Sequence, residues 1–291
     1  MQKKVQIISD GSQDLSSELS KEKDIEVVPF YVSFDGEHYY KEIEEITVRD
    51  FYQQMVDHPD VFPKTSMPSV QDFYEVFEKS VKENIPVICI CITAKFSGSL
   101  QSATTAKGMI LEEYPEAKVI VVDTLCACMG EAMLLYYALK QKEAGKTIEE
   151  VAQWAEENKL HVCHNVTVDD LFHLHRGGRV SKTAAVLGTM VKVKPIIHMD
   201  DNGALQVIGK ERGRKKSLHK IVDMAVERSK GWDNEIIMIT HGDCLEDAEY
   251  VAKLVREKMG VENVFIHNIG TVIGSHTGPG VVATFCMGNK R

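Results

Sequence analysis

Short, nearly continuous runs of Ile, Val and Cys constrain this chain more than any other feature. Val87-Ile88-Cys89-Ile90-Cys91-Ile92 is the clearest, and further strand-length runs fall at residues 5–9, 26–32, 118–122, 235–240 and 263–269. Between several of them lie amphipathic segments of helix length. A strand without polar alternation must be covered on both faces, which is what a parallel sheet flanked by helices provides. Helices are predicted over residues 14–23, 47–58, 69–83, 97–113, 131–143 and 147–158, with Ser69 and Asp72 spaced as a capping box. Phe34-Asp35-Gly36-Glu37 reads as a hairpin turn. The first half is therefore expected to be a doubly wound α/β domain.

The second half has a different rhythm. Residues 194–198 and 205–210 flank Asp201-Asn202-Gly203, a good hairpin signal. A basic helix is predicted over 214–229, a helix over 245–259, and a glycine-rich tail from Gly270 onward. This order suggests an α+β domain with antiparallel strands. A length of 291 residues accommodates two domains. We place them at 1–160 and 161–291, although no Pro/Gly/Ser-rich linker marks the join.

No apolar run approaches the roughly 18 residues that span a bilayer. The N-terminal stretch turns polar at Ser9-Asp10, so no signal peptide is expected. Seven cysteines, an odd number, point to reduced thiols and a cytoplasmic location. A net charge of −9 disfavours a general nucleic-acid or membrane-surface binder. Yet residues 175–220 hold eleven Lys/Arg against three Asp/Glu. That stretch, which includes Arg176, Arg179, Arg212 and Arg214, suits a solvated face, nucleic-acid phosphates, or an acidic partner or phosphorylated ligand held by Arg forks.

Three polar clusters follow predicted strands, where open α/β sheets bind ligands. They are Lys64-Thr65-Ser66-Met67-Pro68-Ser69, the Thr93–Ser99 stretch containing Phe96-Ser97-Gly98, and the Gly270–Gly280 stretch containing His276-Thr277. Hydroxyls beside free N–H groups at helix starts bind anions, and the same residues also serve as plain helix caps. No Gly-x-Gly-x-x-Gly, P-loop or Gly-x-Ser-x-Gly elbow is present, so nucleotide binding and serine hydrolysis lack support. The pairs His161/His164 and His173/His175 lack a supporting Cys or carboxylate pattern, Cys89/Cys91 and Cys126/Cys128 lack metal-ligand spacing, and no metal is expected.

Taken in order, the clusters resemble the DegV family, bacterial fatty-acid-binding proteins that work with a fatty acid kinase. The resemblance rests on Ile8-Ser9-Asp10-Gly11-Ser12-Gln13-Asp14-Leu15, Thr65-Ser66-Met67-Pro68-Ser69, Ser97-Gly98-Ser99-Leu100-Gln101-Ser102-Ala103, Gly177-Gly178-Arg179-Val180-Ser181, Val193-Lys194-Pro195-Ile196-Ile197, Arg212-Gly213-Arg214-Lys215-Lys216, His241-Gly242-Asp243 and His276-Thr277-Gly278-Pro279-Gly280. Met67 replaces the family's usual glutamine, and Gly11-Ser12 shifts the opening motif. The resemblance implies a two-domain fold with a long-chain fatty acid in a tunnel between the domains. Thr65 and Ser97 would hold the carboxylate, with Gly98, His276 and Thr277 nearby. It further implies a non-catalytic carrier without cofactor, serving phospholipid metabolism, whose bound acid a separate kinase converts to an acyl-phosphate. Arg176, Arg179, Arg212 and Arg214 then become candidates for docking that kinase.

Two rival readings are kept. One is a stand-alone enzyme on a small carboxylated or phosphorylated metabolite, with His276 or His241 as general base. The other is a nucleic-acid-binding regulator that uses the basic stretch.

Overall fold

The computed structural model describes residues 5–169, 171–181, 192–289 and 291. Part of the basic stretch, residues 182–191, therefore lies outside the described residues.

The chain begins with β1 (Gln6–Asp10), α1 (Ser17–Glu22) and β2 (Ile25–Val28). The apolar run at 26–32, expected as one strand, breaks at Pro29-Phe30. Its second part is β3 (Tyr31–Ser33), which belongs to another sheet. Proline lacks the N–H a ladder needs, so the chain turns there. β4 (Tyr40–Lys41), α2 (Val48–Asp57) and β5 (Lys64–Ser66) follow, and β3 pairs antiparallel with both short strands. The first polar cluster is thus partly strand.

Next come α3 (Val70–Lys82), β6 (Val87–Cys91), α4 (Ser99–Glu113), β7 (Val119–Asp123), α5 (Met129–Glu143) and α6 (Ile148–Asn158). The expected Ser69/Asp72 capping box is formed. β2, β1, β6 and β7 make an all-parallel sheet in that order. The unbroken β6 run is covered on both sides. Ile88 and Ile90 pack with Met133 and Leu134 of α5 and Val151 of α6. Val87, Cys89 and Cys91 pack with Phe73 of α3 and Ala106 and Ile110 of α4. This is the doubly wound arrangement that period-two geometry demands of an all-apolar strand.

The remaining elements are β8 (Val162–Thr167), α7 (Phe172–Arg176), β9 (Val193–Met199), β10 (Leu205–Arg212), α8 (Arg214–Arg228), β11 (Ile237–His241), α9 (Leu245–Met259), β12 (Val264–Asn268), α10 (Thr271–Thr277) and β13 (Val282–Met287). The β9–β10 hairpin forms as expected, its turn held by Asp200 accepting from the Asn202 and Ala204 amides. The order β10-β9-β8-β13-β11-β12 makes a mostly antiparallel six-stranded sheet. Two of its inner strands, β8 and β13, are absent from the sequence reading. β13 falls in the expected glycine-rich tail, where six buried residues from Val282 to Met287 form a strand between β8 and β11. Glycines at 270–280 mask the short apolar run behind them. Among the described residues no helix is long and apolar enough to cross a membrane.

Candidate functional site

In the parallel sheet the chain steps from β1 outward to β2 on one side and to β6 and β7 on the other. The crevice beyond the carboxyl ends of β1 and β6 is therefore the switch point where such sheets bind ligands. Asp10, the last residue of β1, shapes it. Its Oδ2 accepts from the Ile92 amide (3.1 Å) and the Ser99 hydroxyl (2.6 Å), and its Oδ1 from the Ser12 amide (3.2 Å). These bonds fix the loop that carries Phe96, Ser97 and Gly98 into α4.

That loop borders a cavity of about 370 Å³. One wall is the inner face of the six-stranded sheet, with Val166 and His164 of β8, Ala283 and Phe285 of β13, and Ile197 and Met199 of β9. The opposite wall holds Phe30, Ile92, Ala127 and Cys128, and Val272 and Ile273 of α10 close a side. The polar groups gather elsewhere: Thr65, Ser66, Ser97, Arg179, His276 and Thr277 all reach this same cavity. All five head-group candidates, Thr65, Ser97, Gly98, His276 and Thr277, are brought together from three separate parts of the chain.

Thr65 Oγ1 lies 2.9 Å from His276 Nε2. Burial, and after it the positive charge of Arg179, lower the His276 pKa to about 4, so the ring is neutral at pH 7. The Ser97 hydroxyl accepts the Ser99 amide at 3.1 Å at the entry to α4, which leaves its O–H free to donate. Gly98 leaves room for the Met67 side chain, since a Cβ there would stand 2.5 Å from the Met67 sulfur. Thr277 donates to the Ile273 carbonyl at 3.0 Å and lines the wall.

The four arginines fall in different places. Arg179 reaches the cavity, where its guanidinium donates to the Phe96 carbonyl at 2.6 Å and to the Gly177 carbonyl. Arg176 lies over the Phe62 ring, 3.7 Å from its centre. Arg212 is exposed at the end of edge strand β10. Arg214 is bound into the fold, with its Nε donating to Asp247 at 2.7 Å and a second contact to Asp169 at 3.6 Å. His241 caps the Cys244 amide through Nδ1 at 3.2 Å and is not part of the cavity lining. The Cys89 and Cys91 thiols meet 3.6 Å apart inside the parallel-sheet core. Among the described residues no three His, Cys, Asp or Glu side chains gather as a metal site.

Four carboxyls lie buried behind the site, and sequence reasoning assigned a role to none of them. Glu131 accepts from the Ser9 (2.7 Å) and Ser12 (2.6 Å) hydroxyls. Asp14 accepts from the Gly270 amide at 2.8 Å, and Glu42 from the Phe30 amide (2.9 Å) and the Thr271 hydroxyl (3.0 Å). Burial raises Asp14 to about 7 and Glu42 to about 8, and pushes Asp10 and Glu131 up as well. Asp10 and Asp14 lie in the opening motif and were legible there. Nothing local distinguishes Glu42 or Glu131 from surface acids.

The fold and cavity together define an α/β protein with a largely apolar cavity between a parallel sheet and a mixed one. The chain belongs to the DegV family, described as "Uncharacterised protein, DegV family", which it matches over residues 4–289. A DegV domain-containing protein of Clostridium perfringens is 39% identical over 290 residues, 99% of each chain. A stearic-acid-binding protein of Eubacterium ventriosum superposes with a TM-score of 0.91 at 34% identity, covering 97% of this chain and 98% of that one. A fatty-acid-binding DegV protein of Thermus thermophilus gives 0.86 at 30% identity, covering 98% and 100%.

Proposed function

We propose that this chain binds a long-chain fatty acid in the cavity and presents its carboxylate to a separate fatty acid kinase. The kinase would use ATP to form the acyl-phosphate, and this chain would act as a non-catalytic, cytoplasmic carrier without cofactor. One observation carries the reading: a largely apolar chamber with its hydroxyls, a neutral histidine and an arginine gathered among the loops at its edge. A buried carboxylate without partners is very costly, and Thr65, Ser97 and Arg179 supply the donors that offset it. Hydrogen bonds to a charged group contribute roughly 1.5–3 kcal/mol each. Each buried methylene contributes about 0.8 kcal/mol, so the tail dominates affinity while the head group sets orientation.

Thr65, Ser97, Gly98, His276 and Thr277 form the head-group site in this reading. Arg176 and Arg212, exposed and clear of the cavity lining, are the better candidates for kinase docking. Arg179 belongs to the head group and Arg214 to the scaffold. The division at residues 1–160 and 161–291 puts the parallel sheet and the small β4-β3-β5 sheet in one unit and the six-stranded sheet in the other, with the ligand between them. Neutral His276, with a pKa of about 4, is a poor general base at pH 7, which places the stand-alone enzyme second.

The test is native mass spectrometry of the purified protein with analysis of its organic extract. A stoichiometric fatty acid is expected. A protein that is empty and takes up no added fatty acid overturns the reading.

A further inference from the structure

The cavity wall on the six-stranded sheet is a ladder of side chains pointing one way. Val168 and Val281 stand at its first rung, Ala283 opposite Val166 at the second, and Phe285 opposite His164 at the third. Two residues of strand separate successive rungs, so the ladder spans roughly 13 Å. The first rung lies five residues beyond His276 and therefore at the head-group side. The next residues on the same face, Val162 and Met287, belong to the solid core beneath Met129 and Met133 of α5. The cavity therefore ends at the third rung.

His164 is an unusual residue for that place, and it is fixed there. Its Nε2 accepts the Ala127 amide at 3.3 Å, and its Nδ1 lies 3.3 Å from the Val162 carbonyl. One neutral tautomer, protonated on Nδ1, satisfies both bonds. The ring meets Phe285 edge-on with centres 5.1 Å apart. Behind it sits Gly130 in the first turn of α5, where a Cβ would lie 2.2 Å from Nε2. A Leu or Met in this position could change rotamer to admit a longer chain. This ring is bonded at both nitrogens and backed by helix backbone.

We infer that His164 is the end stop that sets the longest acyl chain this protein retains. The inference rests on the fatty-acid reading above and deepens it by naming the residue that measures the ligand. Two substitutions move the stop in opposite directions. His164→Ala removes the ring and lengthens the chamber. Gly130→Ala places a methyl group against the ring and drives it toward the chamber, which shortens it; the glycine is helical, so alanine suits its backbone.

The experiment loads wild type, His164→Ala and Gly130→Ala with an equimolar mixture of even-numbered saturated fatty acids from dodecanoic to docosanoic. Native mass spectrometry then reads what each protein retains. The expected result is a shift toward longer chains in His164→Ala and toward shorter ones in Gly130→Ala. Relative retention should change about fourfold per methylene whose burial is gained or lost. The same chain-length profile in all three proteins, or shifts in the same direction, overturns the stop. If His164→Ala does not fold, an unchanged profile in Gly130→Ala overturns it alone. Folded proteins that retain no fatty acid at all overturn the fatty-acid reading instead, and the stop with it.

Discussion

Thr65 and His276 stand 2.9 Å apart although 211 residues separate them in the chain. β5 carries the first and α10 the second, so the contact exists only when the small sheet and α10 close on the same cavity. It joins a hydroxyl to a neutral imidazole, two groups that can each turn a donor toward an anion without adding charge.

Thr65→Val keeps the β-branched shape that suits β5 and removes only the hydroxyl. Fatty-acid affinity should fall roughly 10- to 100-fold, the worth of one hydrogen bond to a carboxylate. The melting temperature should hardly move. Titration with a fluorescent fatty acid beside a thermal melt checks both; equal affinity in the two proteins would remove Thr65 from the site.

Ser97→Ala should act twice. Loss of the bond to the Ser99 amide costs about 1 kcal/mol of stability, the net contribution of an ordinary hydrogen bond, and loss of the hydroxyl weakens binding. Ser97→Thr keeps a hydroxyl and should recover both. Chemical denaturation and ligand titration of the two variants check this.

Gly98→Ala brings a methyl group within 2.5 Å of the Met67 sulfur, so the flexible Met67 side chain must swing aside at the cavity edge. Weaker binding is expected, with recovery in the Gly98→Ala/Met67→Ala double variant. A double-mutant cycle on affinity reads the coupling, and additive losses would mean the added methyl group does not act through Met67.

Stability should fall above pH 6.5. Burial raises Asp14 to about 7 and Glu42 to about 8, so the folded protein holds protons that the unfolded chain has released. That contribution is full below the ordinary carboxylate range and is lost as pH rises through 7 to 8. Buried His164 and His276, lowered to about 3 and about 4, act oppositely, but their effect is confined below their ordinary value of 6.5. The melting temperature should therefore be lower at pH 8.5 than at pH 6.5. Asp14→Asn and Glu42→Gln should each flatten that slope.

Arg212→Glu and Arg179→Ala should divide binding from presentation. The exposed Arg212 change should leave fatty-acid affinity intact and slow acyl-phosphate formation by an added fatty acid kinase, less so at high salt. Arg179→Ala should lower both, because its guanidinium forms part of the cavity lining. Retained turnover in Arg212→Glu would move the docking surface elsewhere.

The parallel sheet was readable because burial on both faces forces an unbroken apolar run, and Val87–Ile92 shows one plainly. The three polar clusters were readable because anion loops and helix caps use the same small residues. β8 and β13 escaped notice for opposite reasons. β8 mixes His164, Asn165 and Thr167 into its sequence; Asn165 and Thr167 find buried partners on neighbouring strands, and His164 finds its partner in the loop before α5. β13 is short and follows a glycine-rich segment, so its local pattern reads as a tail.

The sequence by itself determined the alternation of elements, the caps and hairpin, and the hydroxyls and glycines that ring the site. These depend on side-chain period and backbone freedom, which act over a few residues. Tertiary structure alone decided that Arg179 reaches the cavity while Arg214 binds Asp247, and that His164 lines the cavity wall beside Phe285. It also decided that Glu42 and Glu131 lose their solvent. Burial, charge pairing and cavity length are set by what the rest of the chain brings alongside, and that is not a property of any local stretch.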